Sequence, residues 1–201
     1  MRSTLLISLS LVLALAGWST VCAEDGFYVI PAMKGKFAPV PKTGQTVTSA
    51  PGDDGALEKG VAWPAPRFIN NGNGTVTDKL TGLIWMKNAN AFGVRTWAQA
   101  ISDANGLHTG SIPSLVDGSK AGDWRLPNVR ELQSLIDYSQ PAPPLPAGHP
   151  FTNIQSGDYW SSTTHAGYNA QYAWYVVFSD GIVSSCAKTS GLYVWCVRGP
   201  K

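Results

Sequence analysis

Tyr159-Trp160-Ser161-Ser162-Thr163, Ala173-Trp174-Tyr175-Val176-Val177-Phe178, Ile182-Val183-Ser184-Ser185-Cys186 and Tyr193-Val194-Trp195-Cys196-Val197-Arg198 follow one another between residues 159 and 198. Each run is short, aromatic and β-branched, and turn residues separate it from the next, which is the pattern of strands. Ser179-Asp180-Gly181 predicts a tight hairpin between the second and third runs, because Asp-Gly tolerates the positive φ of a primed turn. Alternation along 174–178 predicts Trp174, Val176 and Phe178 on the core side. The third and fourth runs read as a second hairpin that closes near Thr189. The chain therefore ends in a small antiparallel sheet.

Upstream the strand signals thin out and helices enter. Arg67-Phe68-Ile69, the 70–74 turn and Thr75-Val76-Thr77-Asp78 predict a hairpin, and Leu83-Ile84-Trp85-Met86 a further strand. Thr96 with Gln99 three residues on is a capping box, and Trp97, Ala100, Ile101 and Ala104 follow at helical spacing until Asn105-Gly106. Asn128 with Glu131 repeats the box before Leu132, Leu135 and Ile136, so Glu131 is read as a cap and not as an acid catalyst. Pro141-Ala142-Pro143-Pro144-Leu145-Pro146 predicts a stiff extended crossover to the late sheet. Two helices on a small twisted, mostly antiparallel sheet, with many loops, make an α+β domain over 67–200.

Two segments precede it. Met1-Arg2, the apolar run from Leu5 to Ala16 and Val21-Cys22-Ala23 form a secretory signal peptide over 1–23, with cleavage expected after Ala23. The apolar run is shorter than the roughly 20 residues that span a bilayer, so the mature chain is expected to have no integral membrane segment. Residues 24–66 are a Pro- and Gly-rich leader with one strand-like piece, Phe27-Tyr28-Val29-Ile30, and a turn at 51–55. The whole chain holds 15 Lys+Arg and 13 Asp+Glu. A near-neutral balance without a basic block excludes the usual nucleic-acid footprint. The expected location is secreted, periplasmic or cell-surface.

Candidate chemistry is sparse. His108, His149 and His165 fall in separate loops, and no His, Cys or carboxylate spacing places metal ligands on one face. Asp78 beside the asparagine-rich turn and the Asp53-Asp54-Gly55 cluster have too few carboxylates for a calcium loop. No G-x-S-x-G elbow or phosphate-binding glycine loop is present. No metal, cofactor or catalytic residue is predicted, and the chain is read as a non-enzyme. Cys186 and Cys196 are the two cysteines left after cleavage. An oxidising compartment favours a disulfide between them, although a symmetric hairpin would offset the two by about 13 Å along the strand. The expectation is a bond, with 187–191 looping irregularly.

Arg67-Phe68, Asn73-Gly74-Thr75-Val76-Thr77-Asp78, Leu80-Thr81-Gly82-Leu83-Ile84-Trp85, Asp123-Trp124-Arg125-Leu126-Pro127-Asn128, Arg130-Glu131-Leu132, Tyr159-Trp160-Ser161-Ser162 and Val197-Arg198-Gly199 resemble the signature blocks of the Lcl C-terminal domain family. That family is named for the terminal domain of a bacterial collagen-like adhesin. The resemblance implies a C-type-lectin-like fold and extracellular binding of a glycan or protein ligand, with recognition surfaces on the late loops. The resemblance also implies, in many relatives, a cysteine where this chain has Ala104, partnering the one that matches Cys196, and that link cannot form here. The calcium and sugar signatures of animal C-type lectins are absent, and Gln140-Pro141-Ala142 lacks their carboxylate. Ligand binding without calcium is the first function. The alternatives are an enzyme related to the lectin-fold sulfatase-modifying enzymes, or a structural envelope or matrix component. Association of several copies stays open.

The residues that would meet a ligand are Tyr168, Asn169 and Tyr172 in the 164–172 connection, with Lys188 from the 184–190 segment. Tyrosines and amides together are the adaptable mixture that recognition loops favour.

Overall fold

The asparagine-rich turn at 70–74 shows how the first sheet is started. The Asn70 side-chain oxygen accepts from the Gly72 amide and the Asn71 amide donates to the Thr75 carbonyl, so the turn is closed by its own residues. Gly74 has φ 87° and the Ser114 carbonyl stands where a Cβ would be, which leaves room for glycine alone.

The computed structural model describes residues 40–167 and 170–199, all within one compact unit, Lys36–Lys201. The expected signal peptide over 1–23, Phe27–Ile30, Tyr168 and Asn169 lie outside the described residues. In chain order the elements are α1 (Asp54–Leu57), β1 (Phe68–Asn70), β2 (Thr75–Asp78), β3 (Ile84–Met86), β4 (Val94–Arg95), α2 (Trp97–Gly106) and α3 (Val129–Gln133). Then come β5 (Asp158–Thr164), β6 (Tyr172–Val177), β7 (Val183–Ala187), β8 (Leu192–Tyr193) and β9 (Val197–Arg198). They form an α+β domain with two mostly antiparallel sheets, ordered β1-β2-β3-β9 and β4-β8-β5-β6-β7.

Both capped helices begin where the sequence places them. The Gln99 side-chain oxygen accepts from the Thr96 amide and hydroxyl. Asn128 Oδ1 accepts from the Glu131 amide and Glu131 Oε2 from the Asn128 amide. α3 is shorter than its apolar pattern suggests: Leu135 and Ile136 are buried, but from turns beyond Gln133. The 141–146 crossover also differs from the stiff extended form. Asp137 N donates to the Pro144 carbonyl and Leu145 N to that of Pro143, folding the segment back so that Pro144 and Leu145 are buried.

The largest correction falls at the C-terminus. β6 and β7 do form the expected hairpin, with Ala173 opposite Cys186 and Gly181 at φ 82° in the turn. β7 and β8 do not: β8 pairs in parallel with β5 at Tyr159↔Tyr193, and β5 and β6 separate it from β7. The run 193–198 is then cut in two. β8 stays in one sheet, β9 pairs with β3 in the other, and Val194, Trp195 and Cys196 pass between them, fully buried.

Trp195 explains the crossing. Its ring meets Trp85 at 5.7 Å, Phe151 at 4.9 Å, Tyr159 at 5.8 Å and Phe178 at 5.5 Å, and its indole N–H donates to the Met86 carbonyl at 2.8 Å. Edge-to-face aromatic pairs add about 0.5–1.5 kcal/mol each beyond burial. One side chain thus joins residues from both sheets. Trp124 and Trp160 are also fully buried and donate to Ser119 Oγ and the Arg95 carbonyl. The Trp85 N–H has no partner among the described residues.

The described part of the leader is tied to this domain. Val61 N donates to the Val40 carbonyl, Lys42 N to that of Val61, and Tyr138 N to that of Thr43. The 51–55 turn cluster contains a helix cap: the Asp53 carboxylate accepts from the amides of Ser49, Ala50 and Ala56. Those hydrogen bonds hold its carboxyl below the usual range, and Asp54–Leu57 makes one helical turn.

Candidate functional site

The end of the second sheet where β5 stops, β6 starts and β7 ends brings together side chains far apart in the chain. His165 N donates to the Tyr172 carbonyl at 2.9 Å, and Lys188 N to the Gln171 carbonyl at 2.9 Å. Tyr172 stands opposite Ala187 in the ladder. Strand pairing therefore places Tyr172 and Lys188 at the same end, which the sequence alone does not specify.

Lys188 is held from both sides. Its backbone carbonyl accepts from Trp97 N at 3.0 Å, and its ammonium lies 3.8 Å from the Trp97 ring centroid while donating to Thr164 Oγ1 at 2.8 Å. Trp97 is fixed in turn, its indole N–H donating to the Ser161 carbonyl at 2.8 Å. A cation over an indole face is attracted by the ring quadrupole. At the same end of the sheet, on the opposite face, the His165 and Trp174 rings lie 4.8 Å apart, and His165 Nδ1 accepts from the Gly167 amide at 3.0 Å. Trp174 is only half-buried. It shares a face of β6 with the fully buried Val176 and Phe178, but it lies at the strand's end, where that face is less covered.

The end of the sheet thus forms a ledge with the Lys188–Trp97 pair on one face and the His165–Trp174 pair on the other. Sequence reading nominated Tyr172 and Lys188 but missed Trp97 and Thr164 as the contacts of Lys188. No local pattern connects Trp97 with Lys188, since the contact is made by folding α2 against the end of β7.

The other candidates have structural work. Asp78 is fully buried and takes two hydrogen bonds from Arg67, at 3.0 and 2.9 Å, plus others from Leu80 N and Thr81 Oγ1. Glu131 caps α3 and takes Arg125 in a two-pronged pair at 2.7 and 2.6 Å. Those bonds raise the Arg125 pKa against the opposing pull of burial. Ser161 Oγ donates to the Trp174 carbonyl and Ser162 Oγ to that of Pro127. Among the described residues no three His, Cys, Asp or Glu are grouped to hold a metal ion.

The disulfide expectation is corrected here. Cys186 and Cys196 are both free thiols. Cys186 lies on the edge strand β7, and Cys196 is buried in the passage between the sheets, so the strands that would have faced each other are separated by β5 and β6. Burial pushes both thiol pKa values up, Cys196 most of all, with Asp103 adding to it. Neither is a reactive thiolate.

An α+β domain whose two sheets are joined by its own last strands, with an aromatic ledge at one end, is thus the class of protein. The family model of the Lcl C-terminal domain matches residues 74–198, well over half of the chain, and the chain belongs to that family. No curated protein sequence matches it. No helix of the described residues is long and apolar enough to cross a membrane.

Proposed function

We propose that the protein is a secreted or cell-surface binding and adhesion module that takes an extracellular glycan or protein ligand on the ledge, without calcium. In this reading residues 1–23 are its signal peptide, 24–66 a leader and 67–200 a C-type-lectin-like domain. The observation that carries the proposal is the pose of Lys188. Its ammonium is oriented by Trp97 and Thr164 at the rim, so little side-chain entropy remains to be lost when a ligand docks. At the same end of the sheet Trp174 and His165 offer a flat aromatic surface on the opposite face, suited to a pyranose face or an aliphatic side chain. Tyr172 opens β6 at this end, and Tyr168 and Asn169 precede it in the sequence. Membership of a family named for an adhesin's terminal domain supports the same reading. The sulfatase-modifying type of enzyme would call for an activated cysteine, and burial drives both thiols the other way.

The test is a glycan and protein array with the purified protein, followed by Tyr172→Ala and Lys188→Ala. Weaker binding to the array hit at nearly constant melting temperature is expected, and so is equal binding with and without a chelator. Unchanged affinity in both variants removes the ledge, and loss of binding with the chelator removes the calcium-free reading.

A further inference from the structure

A second concavity lies away from the ledge, between the leader and the 137–147 loop. It has a volume of about 460 Å³, within the range of about 300–1,000 Å³ common for small-molecule sites. Asp137 lines it and is only 5% exposed. One carboxylate oxygen accepts from Ser139 N at 2.9 Å and Ser139 Oγ at 2.6 Å. The other takes no hydrogen bond among the described residues and is not sealed from the cleft. That oxygen is open to solvent and is left able to accept a hydrogen bond from a bound group.

The leader comes close to this carboxylate on the side of the Ser139-bonded oxygen. Gly44 has φ 94°, and a Cβ there would run into the Asp137 carboxylate and the Trp63 ring. Trp63 is fixed by its N–H donating to the Lys42 carbonyl at 3.0 Å and by the Arg67 guanidinium 4.7 Å from the ring centroid. The remaining charges are committed: Lys42 pairs with Glu58 at 2.9 Å and Arg67 with Asp78. What is left along the walls is neutral, namely the Gln45 and Gln140 amides and the Thr46 hydroxyl, over apolar Pro146 and Ala147.

We propose that this cleft binds one uncharged sugar ring, its hydroxyls donating to Asp137 and exchanging hydrogen bonds with Gln45 and Gln140. Hydroxyl groups both donate and accept, as amides do, whereas an ammonium only donates and would leave the amide N–H groups unmatched. The apolar face of the ring is left for Trp63 and Pro146. The site is independent of the ledge, and much of it comes from residues that precede the family match at 74–198.

Side-chain amide NMR of the purified protein tests it, with methyl glycosides of glucose, galactose, mannose and N-acetylglucosamine as probes and ethylamine as the cationic comparison. At least one glycoside is expected to shift the Gln45 and Gln140 amides. Asp137→Asn should weaken that binding about tenfold or more, as the loss of a charged acceptor does. Ala147→Trp, which fills the cleft from its exposed wall, should abolish it, and Lys188→Ala should leave it unchanged. The proposal is overturned if no glycoside moves those amides. It is also overturned if Lys188→Ala removes the shifts, or if ethylamine alone binds and is lost in Asp137→Asn.

Discussion

Among the described residues three cations lie over aromatic rings, and their surroundings differ. Arg67 packs against Trp63 and Phe68, and Arg198 against Trp124; their side chains are 3% and 7% exposed and each is paired with a buried carboxylate. Lys188 lies over Trp97 with only a neutral hydroxyl as partner, at the rim of the second sheet. A buried charge must be matched by an opposite charge and by hydrogen bonds, or it destabilises the fold. A rim charge remains in contact with water and costs little to keep. The same contact therefore locks the first sheet and arms the second.

The sharpest way to break this distinction is to remove one buried partner. Asp78→Ala leaves Arg67 without its counter-ion inside the protein, and should cost about 3–5 kcal/mol in urea unfolding. Asp117→Ala should cost somewhat less, about 2–4 kcal/mol at neutral pH, and its effect should depend on pH. Burial raises the Asp117 pKa, but hydrogen bonds from Ser119 and the charge of Arg198 outweigh it and leave the group below its ordinary 3.8. A carboxylate lowered by folding contributes stability above its unfolded value, and that contribution is lost as pH falls through the folded one. The gap between wild type and Asp117→Ala should therefore narrow below about pH 4, and a gap that stays constant would deny the Arg198 coupling.

Smaller effects sharpen the other side of the comparison. Asn128→Ala removes the acceptor for Glu131 N and should cost about 1 kcal/mol, readable as a modest drop in melting temperature. Lys188→Ala should cost no more than about 0.5–1 kcal/mol, the range of an exposed cation–aromatic contact. A loss as large as that of Asp78→Ala would make Lys188 a structural residue and the ledge part of the core. Denatured, unreduced protein should titrate two thiols from Cys186 and Cys196, with only Cys186 accessible to a thiol reagent before unfolding.

Much of the architecture was legible because it is local. The 70–74 turn, the Asp180-Gly181 hairpin and the boxes at Thr96 and Asn128 are each made by residues within a few positions of one another, and all four lie where the pattern puts them. Glu131 was legible as a cap for the same reason, although its pairing with Arg125 was not. The candidate site was legible in part: Tyr172 and Lys188 stood out as polar or aromatic residues in connecting segments. Trp174 was misplaced because strand alternation gives the side a residue faces, not whether that end of the strand is covered.

The sequence by itself determined the signal-peptide expectation, the strand and helix starts and the family, through short-range hydrogen bonding, turn geometry and ordered motif blocks. Only the tertiary structure decided the long-range outcomes. The run 193–198 serves two sheets because Trp195 must reach aromatic partners in both. Cys186 and Cys196 are free thiols because parallel pairing of β8 with β5 carries them apart. Trp97 meets Lys188, and Asp137 meets the leader, because packing joins surfaces that chain distance keeps separate. Local rules specify each element, but the energy of burying large aromatic surfaces selects which elements meet.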